Sequence, residues 1–251
     1  MAELRVPNKI DDGYMPSVVI VGNTYKNLYV KGYTVGELMN LARVNENKKI
    51  ADMDLDMLEE YLGRIFQCEE GYTIRDIYLC DLKFGLIYAM MLTDQEYKYS
   101  NIVECLKEEG GCGKEFIATI TPRQFVIDTS KILTEAEIYG YKISPVTFGD
   151  YVDNLRHIQK EIQKEDDEIP EHYAIMGLVA SLLKIDGKNF EDKLKLLVDE
   201  VQAKVALDIG NNDYVTKLDI IPEPVECTCP ECGKTFFYVP SFDIRTLLPS
   251  L

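Results

Sequence analysis

The residues whose types and spacing could do chemistry are cysteines, in two clusters. Cys229-Pro230-Glu231-Cys232-Gly233-Lys234 sets two thiols either side of a two-residue turn, with a glycine behind the second. A turn of that length aims both sulfurs at one metal ion, and the glycine lets the backbone fold back so that its N–H groups point at the thiolates. Val103-Glu104-Cys105, then Cys112-Gly113-Lys114-Glu115-Phe116, repeats the frame with a longer loop between its cysteines. Two half-sites from two parts of the chain would supply a tetrahedral zinc site of Cys105, Cys112, Cys229 and Cys232. Four soft sulfurs form a closed structural set with no position for a reactive water. Cys227 aligns with Cys105 when the two Val-Glu-Cys triplets are superposed, and is the alternative ligand. The competing reading is a vestigial ribbon with free thiols. Cys68 and Cys80 sit in partly apolar stretches that read as helical, as ordinary buried cysteines do.

Other chemistry finds little footing. The chain has two histidines, His157 and His172, in no ligand or nucleophile motif, and it lacks a Gly-x-Ser-x-Gly elbow, a phosphate-binding loop and a dinucleotide glycine pattern. The expectation is therefore a protein that is not an enzyme. With 43 acidic against 27 basic side chains, a net charge of −16 opposes phosphate backbones. The cysteine clusters are themselves flanked by Glu104, Glu108, Glu109, Glu115, Glu223, Glu226 and Glu231. Nucleic acid is accordingly not expected as a partner, although a zinc-ribbon regulator of nucleic acid is the alternative class. Nor is membrane, since the longest apolar run, Ala174 to Leu183, is about half of the roughly 20 residues a spanning helix needs. An odd number of cysteines, seven, fits metal in a reducing compartment better than disulfides.

The elements that must position these sulfurs recur in order. Val18–Gly22 and Asn27–Lys31 read as a hairpin about Gly22-Asn23-Thr24. Thr34 with Glu37 forms a capping box that opens a helix bearing Leu38, Leu41 and Ala42. Leu55–Phe66 is a second helix, Thr73 to Asp76 offers another box, and Asp81–Thr93, apolar on most sides, reads as a core helix. Tyr97–Cys105 and Phe116–Thr121 are the strands of a ribbon tipped by Cys105 and Cys112. The order then restarts: a hairpin about Gly140, Thr147-Phe148-Gly149-Asp150 matching Thr34-Val35-Gly36-Glu37, and an acidic loop from Lys164 to Glu171. Next come an apolar helix over Tyr173–Leu183, a helix from Phe190 to about Lys204, and the second ribbon after Val215. Gly187 to Asp192 echoes Gly71 to Asp76. The expected fold class is α+β, with two duplicated domains over residues 1–127 and 128–251. Each would hold a β-hairpin, helices and a cysteine-tipped, zinc-ribbon-like hairpin.

In that order, Val6-Pro7, Thr34 with Glu37, Asp81 to Thr93, Cys105 to Phe116, Cys229 to Gly233 and Val239-Pro240-Ser241-Phe242 resemble the T-even-type bacteriophage baseplate hub protein family over nearly the full length. The first ribbon departs from the pattern, since Leu106 to Gly111 widens its cysteine spacing. The resemblance implies a structural or assembly component of a contractile tail baseplate, without catalysis. Its partners would be other phage baseplate and tail proteins. It would be assembled in the host cytoplasm and reside in the virion, or act as an assembly chaperone that leaves before the virion matures. Sixteen tyrosines and nine phenylalanines suit such contacts, because they give large, rigid area.

Overall fold

The computed structural model describes residues 4–5, 13–14, 28–46, 50–68, 71–94, 96, 98–121, 126–127, 135–162, 171–212, 223–240 and 244–247. They form an α+β fold of helices with small antiparallel sheets. Strands β1 (Leu4–Arg5), β2 (Gly13–Tyr14) and β3 (Tyr29–Val30) lead into helices α1 (Val35–Glu46) and α2 (Leu55–Ile65). Strand β4 (Phe66–Gln67), helix α3 (Leu79–Thr93) and the ribbon β5 (Tyr99–Glu104) with β6 (Glu115–Ile120) follow. After β7 (Val126–Ile127) come the hairpin β8 (Ala136–Ile138) and β9 (Tyr141–Ile143), then helices α4 (Phe148–Ile162), α5 (Glu171–Leu182), α6 (Phe190–Glu200) and α7 (Ala203–Gly210). A second ribbon, β10 (Val225–Thr228) with β11 (Thr235–Tyr238), precedes the short helix α8 (Ile244–Leu247). No described helix is long and apolar enough to cross a membrane.

Local chemistry fixes the helix starts. Thr34 N–H donates to Glu37 Oε2 (2.8 Å) and Glu37 N–H donates to Thr34 Oγ1 (3.3 Å), which closes the expected box. The Thr34 hydroxyl (2.9 Å to Oε2) and Lys31 Nζ (3.2 Å to Oε1) add two further donors to the Glu37 carboxylate. Burial pushes the Glu37 carboxyl up, but the Thr34 and Lys31 donors outweigh it and hold the group below its ordinary value. Thr73 and Asp76 close a second box, over a single 3-10 turn. At α4 only half the box forms. Asp150 N–H donates to Thr147 Oγ1 (3.1 Å), while its carboxylate accepts from the buried Lys193 of α6 (2.9 Å).

Three expectations differ from what is observed. Of the first hairpin, Val18–Gly22 lies outside the described residues, and β3 pairs with β2 on one side and β4 on the other. The helix expected to run to Lys204 ends at Glu200, and α7 starts anew at Ala203. Two carboxylates, Asp199 and Glu200, crowd the negative end of the α6 dipole, and Val201 turns extended (ψ 132°) to pack on the core. Glu171, given to the acidic loop, opens α5, while residues 163–170 lie outside the described residues.

Among the described residues the core has two clusters. The larger takes Leu41, Leu58, Leu62, Ile65, Phe84, Leu86 and Ile87 from α1, α2 and α3, together with Phe148, Val152 and Leu155 from α4. The smaller lies under α5, α6 and α7 around Val179, Phe190 and Ile209. Between α2, α4 and the Ile74–Asp76 turn runs a charged seam: Arg75 reaches Glu59 (2.7 Å) and Asp153 (2.6 Å), and Arg156 bonds Asp56 and Glu59. What matters for the cysteines is where the ribbons are rooted. The base pair of the first, Tyr99 opposite Ile120, belongs to the larger core. The base pair of the second, Val225 opposite Tyr238, packs against that same core. Two ribbons with a shared root carry their tips to a shared place.

Candidate metal centre

Each tip is a knuckle. In the first, Cys105 N–H donates to Lys114 O (3.0 Å) and Gly113 N–H donates to Cys105 O (2.7 Å). In the second, Cys229 N–H donates to Lys234 O and Gly233 N–H donates to Cys229 O, both at 2.9 Å. Gly113 and Gly233 share a φ of +72°, left-handed backbone that glycine adopts without a Cβ penalty. This hydrogen-bond register sets Cys229 opposite Cys105 in pattern, and Cys232 opposite Cys112. The six residues from Leu106 to Gly111 fit into the first knuckle as a single 3-10 turn, Lys107–Glu109, closed by Gly110 at φ +82°.

The knuckles bring the sulfurs of Cys105, Cys112, Cys229 and Cys232 within 4.8 Å of one another, a group that could hold a metal ion. Cys105 Sγ lies 3.7 Å from Cys232 Sγ, and Cys112 Sγ lies 3.7 Å from Cys229 Sγ. Both close contacts cross from one ribbon to the other. Exchanging the ribbons (Cys105 for Cys229, Cys112 for Cys232) turns one pair into the other, so the centre has a local two-fold pattern. Phe116 and Phe236, each four residues past its second cysteine, meet edge to face at 6.1 Å beneath it. Lys114 Nζ crosses to Glu231 Oε2 (2.7 Å), and Lys234 Nζ crosses to the carbonyl of Glu109. Cys105 and Cys229 are buried, Cys112 is half-buried and Cys232 is exposed.

The thiols are not electrostatically equivalent. Burial pushes Cys229 up, but backbone N–H groups of Cys232 and Glu231, with the sulfurs of Cys112 and Cys232, outweigh it and pull the thiol down to about 7. The Cys112 N–H pulls Cys105 down, yet burial and the neighbouring sulfurs leave it raised to about 11. Cys112 is raised as well, with its Lys114 N–H outweighed by burial and the sulfurs of Cys229 and Cys232. Like charges at this range resist joint ionisation, and a divalent cation at the centre of the four would relieve that repulsion.

The remaining cysteines stand apart from this group. Cys227 lies within β10 opposite Phe236, half-buried, its thiol raised by burial. Cys80 is buried in α3, as expected. Cys68 is not helical: it follows β4, and burial pushes its thiol up to about 11. Two features of the centre escape sequence reading. One is the reciprocal reach of Lys114 and Lys234; the other is Gly111, where an added Cβ would come within 2.5 Å of Cys105 Sγ. The recurring Cys-Gly-Lys was the available signal for the lysines, but it carried no direction.

No protein family, curated protein or solved structure matches this chain.

Proposed function

We propose that this chain is a structural or assembly protein stapled by a single zinc ion, acting through protein–protein contacts and not as an enzyme. The observation that carries the reading is the convergence of four sulfurs from two separate ribbons. A tetrahedral zinc with Zn–S bonds of about 2.3 Å has edges near 3.8 Å. The two cross-ribbon contacts of 3.7 Å fit such edges. Thiolates at all four corners leave no open coordination position, which suits a structural ion rather than a hydrolytic one. Cys105, Cys112, Cys229 and Cys232 would hold the metal, while N–H groups of the knuckles and the neighbouring lysines offset the charge of four thiolates.

Two related halves, residues 1–127 and 128–251, are part of the same reading. Lys31 N–H donates to Ile65 O just before the first capping threonine, and Ser144 N–H donates to Leu182 O just before the second. In each half a strand therefore pairs with the residues that end the second helix, and a knuckle of the same pattern follows. Zinc would then bind at a joint between repeats, as an ion shared by equivalent half-sites.

On the resemblance to baseplate hub proteins, such a staple would belong to a contractile phage tail, as a resident subunit. The acidic surface supports protein partners over nucleic acid. The test is a set of three measurements on chain purified without chelator. Elemental analysis should give about one zinc per chain. A pull-down from infected-cell lysate, with defined recombinant tail proteins as follow-up, should give a complex of fixed stoichiometry, also present in mature particles. A filter-binding assay should show no appreciable affinity for duplex or single-stranded DNA. Tight, salt-dependent DNA binding without a tail partner would transfer the chain to the zinc-ribbon regulators. Recovery in precursor complexes but not in particles would make it a chaperone.

A further inference from the structure

We infer that the cysteine centre is also a site of oxidative modification, at which peroxide replaces the metal with two disulfides, Cys105–Cys232 and Cys112–Cys229, and leaves the ribbons joined. The inference extends the zinc reading to the regulation of the same centre. It rests on that reading only for the release of metal, since the pairing of the sulfurs follows from the fold alone.

The pairing is set by geometry. The two sulfur contacts at 3.7 Å both run between ribbons, and each joins a buried cysteine to a more accessible one. Cys232, exposed, faces buried Cys105; Cys112, half-buried, faces buried Cys229. This is the arrangement of an attacked thiol beside a resolving thiol. An accessible thiolate meets the oxidant, and a protected neighbour captures the product before a second oxidant arrives.

The chemistry balances with hydrogen peroxide as the oxidant. The Cys232 thiolate attacks one peroxide oxygen, the O–O bond breaks, hydroxide leaves, and the sulfur carries the other oxygen as a sulfenic acid. The Cys105 thiolate then attacks that sulfur. The S–S bond forms, the S–O bond breaks, and a second hydroxide leaves. Two sulfurs have lost two electrons, one peroxide has gained them, and solvent protons turn both hydroxides into water. A second peroxide does the same through Cys112 and Cys229. The metal loses its four thiolates and departs as the divalent ion, unchanged in oxidation state. Its place as a link between residues 127 and 117 apart in sequence is taken by two covalent bonds, which constrain loops of that length as disulfides do.

The consequence is a joint that tolerates a change of surroundings. Where thiols stay reduced, metal holds the ribbons; where peroxide or air is present, disulfides hold the same ribbons in the same register. Cys227, held in β10 against Phe236, and Cys80, buried in α3, take no part.

The experiment uses the full chain in two forms, zinc-loaded and chelator-stripped under reducing conditions. Each is treated with hydrogen peroxide, quenched with an alkylating agent and mapped by mass spectrometry without reduction, while a chromogenic chelator follows released zinc. Expected are Cys105–Cys232 and Cys112–Cys229 in both forms, loss of four thiols for each zinc released, and alkylated Cys68, Cys80 and Cys227. The oxidised chain should melt well above the reduced, stripped chain, and a dithiol reductant with added zinc should restore the starting state. Disulfides within a knuckle, Cys105–Cys112 and Cys229–Cys232, would overturn the inference, as would bridges to Cys227 or sulfinic acids in place of bridges. If the chain never takes up zinc but the cross-ribbon bridges form, the metal reading fails and the oxidation stands. If zinc binds and stays bound through complete thiol protection, the metal reading stands and the oxidation fails.

Discussion

Replacing Cys232 by serine removes one of four sulfurs from a centre that ties two ribbons together, and the size of the effect follows from what else holds those ribbons. Away from their roots, the ribbons meet through the edge-to-face pair Phe116–Phe236, and such a pair is worth about 0.5–1.5 kcal/mol beyond its buried area. Lys114 and Glu231 form an ion pair with side chains more than half exposed (62% and 52%), a kind of contact that gives about 0–1 kcal/mol. A ligand that binds only the folded chain, at a free concentration a thousand times its Kd, adds about 4 kcal/mol. The exposed bond from Lys234 to the Glu109 carbonyl adds about 0.5–1.5 kcal/mol, so a bound metal would outweigh each of the other contacts at the tip. For a chain of this size, 1 kcal/mol moves Tm by about 2–4 °C, so Cys232→Ser or chelation should lower Tm by roughly 8–16 °C. Calorimetry with zinc buffered at several free concentrations gives the sharper form. Each tenfold step contributes about 1.4 kcal/mol, so Tm should climb by about 3–6 °C per decade in the wild-type chain and stay flat in Cys232→Ser. Cys227→Ser should follow the wild type in both metal content and slope. A wild-type Tm that ignores free zinc, or a Cys227→Ser chain that loses it, would refute the assignment of the four sulfurs.

Other perturbations probe the surroundings of the centre and the core that carries it. Gly111→Ala drives a Cβ to within 2.5 Å of Cys105 Sγ and 2.7 Å of the Cys105 and Leu106 carbonyls, so it should weaken zinc uptake in a competition titration by tenfold or more. Gly233→Ala meets no neighbour within 4 Å but must hold φ at +72°, so it should cost about 1–2 kcal/mol in denaturant unfolding, and Gly233→Asn less. Asp81 is fully buried in α3 with no hydrogen-bond partner for either carboxyl oxygen among the described residues, and burial raises its carboxyl well above the usual range. Above about pH 4 the unfolded chain gives up this proton and the folded chain keeps it, so stability falls with rising pH, by at most about 1.4 kcal/mol per pH unit. Asp81→Asn should therefore gain on the wild type between pH 4 and 7 in parallel thermal melts, and a gap that does not change with pH would count against the buried carboxyl. Arg156→Ala removes the bonds to Asp56, Glu59 and Asp153 and leaves Glu59 only partly compensated by Arg75, so a loss of about 1–3 kcal/mol is expected by urea unfolding.

Local features of this fold were legible in the chain because local chemistry decides them. Thr34 and Glu37 close their box within four residues, and no distant partner is needed. Tyr139-Gly140 turns the β8–β9 hairpin with both residues at positive φ. The apolar surround of α3 announced a central helix, and the two strand-like runs flanking Cys105 and Cys112 announced a ribbon. Cys112 and Cys232 stood out by their Cys-Gly-Lys frames, with Cys105 and Cys229 as their partners and Cys227 as the alternative, for knuckle geometry is set by a turn and a glycine.

Only the tertiary structure decided how those sulfurs pair and what stands beside them. Superposing the Val-Glu-Cys triplets put Cys227 against Cys105, whereas the knuckle hydrogen bonds put Cys229 there, because register is fixed by backbone N–H and C=O groups that the side-chain letters do not reveal. The break between α6 and α7 likewise escaped the periodicity, since Val201 leaves the helix to reach the core under α5. The meeting of the two ribbons is a matter of shared roots. Tyr99 and Ile120 sit in the same core that Val225 and Tyr238 pack against, and residues more than a hundred positions apart acquire a common neighbourhood only when that core closes. Sequence could name the four cysteines; burial, a non-local effect, brought them to one point.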